Sequence, residues 1–168
     1  MLAGFWDENE KSFFDTALDH EKLIVRPRDV TDNALPSGNS LACDLLARLG
    51  ILMANDEFRR IASSVIDSLA EPMAQHPLAL GHLLGVADML VNGSTEIAIV
   101  GRPGDADFKA LDSAVGRTFT PAVMLAGGQD ETIPLLAGRT TVNGVAAAYV
   151  CRNFVCAMPV TDPRALSG

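Results

Sequence analysis

Five acidic residues and a histidine, Asp15, Asp19, His20, Glu21, Asp29 and Asp32, stand between positions 15 and 32. Two carboxyl groups facing one pocket can act on a glycosidic bond as acid and base or nucleophile. A histidine among them can serve as general base near neutral pH, which is the chemistry His20 would bring. The alternative for the same residues is a solvated charged loop. Ser37 lies outside any GxSxG context, so a hydrolase nucleophile elbow is not indicated. His20, His76 and His82 show no HxxH or HExxH spacing, and no metal site is expected. Gly101-Arg-Pro-Gly-Asp105 sits where phosphate loops sit, but GxGxxG and Walker A are missing and Asp105 would repel a phosphate. A plain turn is the better reading, and no cofactor is expected.

Cys151 and Cys156 have four residues between them rather than the two of a CxxC motif. A two-residue turn at Arg152-Asn153 would leave the sulfurs diagonal, with Cα atoms about 7–8 Å apart, beyond disulfide reach. A four-residue loop from Arg152 to Val155 would pair them directly and allow a bridge. A reducing compartment favours two buried thiols; a redox role for Cys151 and Cys156 is the other option. Cys43 lies in an apolar helix and reads as core.

The elements that must position these groups follow from periodicity. Met1–Trp6 resembles a helix tail before a charged turn, and Phe13-Phe14 and Leu23-Ile-Val25 suggest short strands or a buried loop. Arg26 precedes proline and must be extended. Pro36 then sets up a helix start, with Ser37 or Asn39 able to accept from its first amides. Apolar residues at helical spacing predict three antiparallel helices, over about 39–54, from just after Asn55 or Asp56 to Glu71-Pro72, and from Pro77 to Asn92-Gly93. The first is apolar almost all round, the signature of a helix buried between neighbours. From Ser94 the pattern changes to strand 96–101, a helix capped at Asp105 running to about Arg117, and strand 122–126. That is a βαβ unit with parallel strands. A hairpin, 146–151 with 154–158, and a polar tail from Thr161 complete it.

The fold class is therefore mixed α and α/β, with a helical region over 1–93 and a small βαβ-plus-hairpin subdomain over 94–168. The chain has 168 residues, is 48% hydrophobic and carries a net charge of −8. It is globular, and its acidity argues against nucleic-acid or anionic-membrane partners. No apolar run is long enough to span a membrane, and three cysteines without a secretory signal point to the cytoplasm.

Six motifs occur in order: FFDT at 13, RPRD at 26, ALPSGNS at 34, EIAIVG at 96, YVCRNF at 149 and PVTDP at 159. On these the chain resembles the C-terminal part of the YyaL and spermatogenesis-associated protein 20 family of thioredoxin domain-containing proteins. The resemblance implies that residues 1–93 are a three-helix portion of an (α/α) toroid, similar to N-acylglucosamine 2-epimerase and six-hairpin glycosidase folds. The thioredoxin-like domain, with its redox cysteines, and most of the toroid would lie outside this sequence. If the toroid has a central pocket, Asp32 and His20 are the candidate catalytic residues and Ser37 and Asn39 the candidate substrate contacts. The implied partners are the missing toroid portion and thioredoxin-like domain, or a second copy, with a carbohydrate-like small molecule as ligand. The rivals are a complete small enzyme working through residues 13–40, and a docking or dimerisation module.

Overall fold

The structure is a computed structural model that describes residues 1–21, 24–153 and 155–166. The chain forms two compact units, residues 1–51 with 55–91, and 52–54 with 92–168.

In the first unit, a single turn α1 (Leu2–Phe5) leads into a two-strand ribbon, β1 (Trp6–Asp7) with β2 (Ser12–Phe13). The Trp6 and Phe13 rings meet across it with centroids 4.8 Å apart. After a long irregular segment come α2 (Gly38–Leu52), α3 (Asp56–Ser68), α4 (Ala70–Gln75) and α5 (Gly81–Asn92). The residues they bury are Cys43, Leu46 and Ala47 of α2, Ile61, Ala62 and Val65 of α3, and Leu83, Val86 and Met89 of α5. The Cys43 thiol donates to the Ala62 carbonyl at 3.4 Å, and burial pushes its pKa up to about 12.

Several boundaries differ from the sequence expectation for physical reasons. The predicted second helix breaks at Leu69, three residues before Pro72. Pro72 instead falls in the first turn of α4, where its missing N–H has no intrahelical partner to lose. Pro77 opens a 3-10 turn, Pro77–Leu80, and the α-helix proper begins only at Gly81. Gly93 follows α5 with φ 88°, the left-handed conformation that closes a helix and that glycine adopts without strain. Helix α2 is not buried all round: Leu41 and Leu45, one turn apart, are 50% and 46% exposed. Ile24 and Val25 are exposed rather than part of a strand or buried loop; Leu23 lies outside the described residues.

In the second unit a four-stranded sheet runs in the order β4-β3-β5-β6, with β3 (Thr95–Val100), β4 (Val123–Gly128), β5 (Ala147–Arg152) and β6 (Val155–Cys156). β3 and β4 are parallel and are linked through α6 (Ala106–Gly116); β5 runs antiparallel to β3. Alternation divides the strands between two faces. Ile97, Ile99, Ala146 and Ala148 pack with Phe108, Leu111 and Val115 of α6. The other face, with Ala98 and Val100, is covered by Leu135 and Leu136 of the loop after β4. The polar tail also packs: a 3-10 turn, Pro163–Leu166, brings Leu166 against the α6 side.

Candidate functional site

The motifs of the first forty residues meet in one hydrogen-bonded knot at the start of α2. Ser37 is the cap: its hydroxyl accepts from the Ser40 N–H at 3.1 Å and donates to the Ser40 Oγ at 3.0 Å. Asn39 lies inside the first turn of the helix, completely buried. Its Oδ1 accepts from the Phe13 N–H at 2.6 Å, while its Nδ2 donates to the carbonyls of Phe13 and Asp29, each at 2.9 Å. One side chain thus pairs like a strand with the FFDT segment and also holds the RPRD segment.

The remaining motif residues tighten the same knot. Arg26 and Arg28 both lie over the Phe14 ring, their guanidinium carbons 3.8 and 4.2 Å from its centroid. Arg28 also pairs with Asp7 at 2.8 Å and donates to the Ser12 hydroxyl at 2.8 Å, which fixes the β1–β2 ribbon to the segment. Arg26 donates to the carbonyls of Gly4 and Thr16. Asp15 accepts from the Asp29 N–H at 2.9 Å, and its own N–H donates to the Pro27 carbonyl at 3.0 Å.

Asp32 joins two helix starts. Its Oδ1 accepts from the Ser37 N–H and its Oδ2 from the His82 N–H, both at 2.9 Å. Burial alone would raise its pKa, but these amides, with the Ser40 hydroxyl and the Leu83 amide, outweigh it and hold the carboxyl below its ordinary value. A carboxylate so stabilised is a poorer proton acceptor, the opposite of the tuning a general base needs near neutral pH. His20 is exposed in the turn after Ala17, and it is not among the groups that hold Asp32. The two sequence candidates for catalysis are therefore not brought into a hydrogen-bonded pair.

Two features escaped the sequence reading. The His82 Nε2 lies 3.3 Å from Asp44 Oδ2, without hydrogen-bond alignment, while Asp44 Oδ1 accepts from Arg48 at 2.7 Å. No spacing rule could signal a pair split between α2 and α5. Beside the knot there is also a cleft of about 330 Å³ lined by Met1, Phe5, Phe13, Phe14, Asp15 and Ala42. Its apolar wall with one carboxylate suits a hydrophobic side chain at least as well as a polar ligand.

In the second unit, Cys151 and Cys156 form a disulfide. This overturns the expectation of two buried reduced thiols; Cys151 is buried, but Cys156 is exposed. The hairpin turns one residue later than expected. Arg152 pairs with Val155 and Cys151 with Cys156, and Asn153 adopts φ 49° in the turn. The one-residue shift converts a diagonal pair of sulfurs into a facing pair.

Comparison with known proteins gives a consistent similarity. The chain is 28% identical to spermatogenesis-associated protein 20 of Rattus norvegicus over 167 residues, covering 95% of this chain and 21% of that protein. The Homo sapiens protein of the same name gives the same figures. An uncharacterised protein of Caenorhabditis elegans is 27% identical over 93% of this chain and 22% of its own length. The chain thus spans about a fifth of the curated relatives it matches. No family model matches it, and no solved structure does. Among the described residues no helix is long and apolar enough to cross a membrane.

Proposed function

We propose that this chain is the C-terminal part of a cytoplasmic protein of the spermatogenesis-associated protein 20 family, a thioredoxin domain-containing protein with a carbohydrate-enzyme-like (α/α) toroid. In this reading the segment closes the toroid and is not catalytic alone. The observation that carries it is the asymmetry of the match, nearly the whole of this chain against about a fifth of each relative. The geometry supports the same reading. The Ser37, Asn39 and Asp32 side chains spend their hydrogen bonds on backbone groups and on the Ser40 hydroxyl, as fasteners of a helix start do. Leu41 and Leu45 point outward from the helix these residues fasten, and a neighbouring toroid helix is the occupant proposed for that face. Any carbohydrate-like ligand would then be bound by walls supplied mainly by the rest of the protein.

The test is light scattering of the purified chain over a range of concentrations. Self-association is expected, and Leu41→Glu combined with Leu45→Glu should return the chain to a monomer. A wild-type chain that stays monomeric at all concentrations would contradict the reading.

A further inference from the structure

Across one face of the second unit, Glu96 of β3, Cys151 of β5 and Cys156 of β6 stand in one row of paired positions. The loop that covers this face brings Arg139 onto the disulfide, with Nη2 3.6 Å from the Cys151 Sγ and 3.1 Å from the Cys156 Sγ. The guanidinium is held there: its Nη1 donates to the Leu135 carbonyl, and its carbon lies 5.8 Å from the Tyr149 ring centroid. Tyr149 is itself tied to the Thr140 carbonyl at 2.8 Å. A disulfide sulfur is a weak, uncharged acceptor, so a fixed guanidinium gains little from it. A thiolate in the same place would be a full charge partner.

We propose that Cys151–Cys156 is a thiol–disulfide exchange site whose substrate is an external dithiol, with Cys156 the sulfur attacked and Arg139 the group that stabilises the thiolate. This inference does not depend on the toroid reading. Access sets the direction, because Cys156 is exposed and Cys151 buried. The incoming thiol loses its proton to water and its sulfur attacks the Cys156 Sγ. The bond between the two protein sulfurs breaks and its electron pair leaves on the Cys151 Sγ, which lies 3.6 Å from the Arg139 Nη2 and takes up a proton as the opened bridge admits water. The second thiol of the reagent then loses its proton and attacks the reagent sulfur of the mixed disulfide. The reagent leaves as its own disulfide and Cys156 leaves as a thiolate beside Arg139. Two electrons pass to the protein pair and the dithiol is oxidised.

The surrounding groups favour charge on Cys156. Glu96, buried and bonded by the Ser94 hydroxyl, faces Cys151 directly, so a carboxyl group rather than a cation is that sulfur's cross-strand neighbour. Arg152 borders the opposite face, with Ile97 and Val150. Arg139 is therefore the cation that serves the exposed sulfur.

The experiment uses the full chain with dithiothreitol as the probe. Native protein is reduced at pH 7, and alkylation of Cys156 by iodoacetamide is followed by peptide mass spectrometry from pH 5 to 10. Reduction under native conditions is expected, with an alkylation midpoint at least about one pH unit below the ordinary thiol value of roughly 8.5. Arg139→Gln should return the midpoint to the ordinary range and slow reduction about three- to tenfold, whereas Arg139→Lys should retain most of the effect. A disulfide that resists dithiothreitol in the folded chain would overturn the proposal, as would a wild-type midpoint at or above the ordinary value. Should Arg139→Gln fail to fold by circular dichroism, the wild-type midpoint decides alone.

Discussion

Replacing Asn39 by alanine separates a clamp from a cap by magnitude. An ordinary helix cap costs about 0.5–2 kcal/mol on truncation to alanine. Asn39 instead satisfies the N–H and carbonyl of Phe13 and the carbonyl of Asp29, and its side chain is fully buried. Each buried polar group left without a partner costs about 1–3 kcal/mol. The Phe13 N–H and carbonyl are sealed, while the Asp29 carbonyl is partly reachable by water, so Asn39→Ala should cost about 3–5 kcal/mol. Asn39→Asp keeps the acceptor for Phe13 but turns an oxygen toward two carbonyls, and should be no more stable than the alanine variant. The assay is urea unfolding followed by fluorescence of Trp6, the chain's one tryptophan, whose ring lies against Phe13. Complete loss of the native emission in Asn39→Ala would also agree with the expectation. A loss below about 1 kcal/mol, or one equal to that of Ser37→Ala, would refute the clamp.

Other substitutions test neighbouring parts of the account. Asp32→Ala removes the acceptor at two helix starts and should cost about 1–4 kcal/mol at pH 7, taking about 0.5–2 for each. Because the folded state holds the Asp32 carboxyl below its ordinary value, its contribution is complete above the unfolded pKa of about 3.9 and is lost as pH falls through the folded value. Wild type and variant should therefore converge below about pH 4 when unfolding is measured there; a constant gap would contradict the electrostatic part. Two helical glycines should respond oppositely to alanine in thermal unfolding. A Cβ at Gly50 would lie 2.5 Å from the Arg59 Cγ and 3.0 Å from its backbone nitrogen, so Gly50→Ala should destabilise by about 1–3 kcal/mol. A Cβ at Gly85 meets nothing within 4 Å, so Gly85→Ala should stabilise by up to about 1 kcal/mol.

What the sequence made legible was whatever periodicity encodes. The apolar spacing over 41–53, 58–69 and 80–90 located the helices, and β-rich runs located β3, β4 and β5, with β3 and β4 parallel as expected from the crossover. Breaks decided by backbone geometry were harder to see. Leu69 ends α3 without a proline or glycine, and Asn153 moves the hairpin turn by one residue through its left-handed backbone. The irregular segment was visible only as motifs. Its organisation rests on side chain to backbone bonds such as Asn39 to Phe13, twenty-six positions apart, and on two arginines over one ring. Counting acids and histidines suggested a catalytic cluster there, but the structure commits Asp32 to amide groups, and the exposed His20 takes no part in those bonds. Arg139 gave no signal at all, because nothing in a polar loop shows which strand its guanidinium will reach.

The most direct test of the central claim is to express this segment as a separate chain beside the portion of the full-length protein proposed to precede it. A toroid segment should co-purify with that portion as a one-to-one complex and lose its tendency to self-associate, and Leu41→Glu with Leu45→Glu should break the complex. A segment that stays apart from it, monomeric and with one sharp unfolding transition, would contradict the account and mark the chain as a self-sufficient protein.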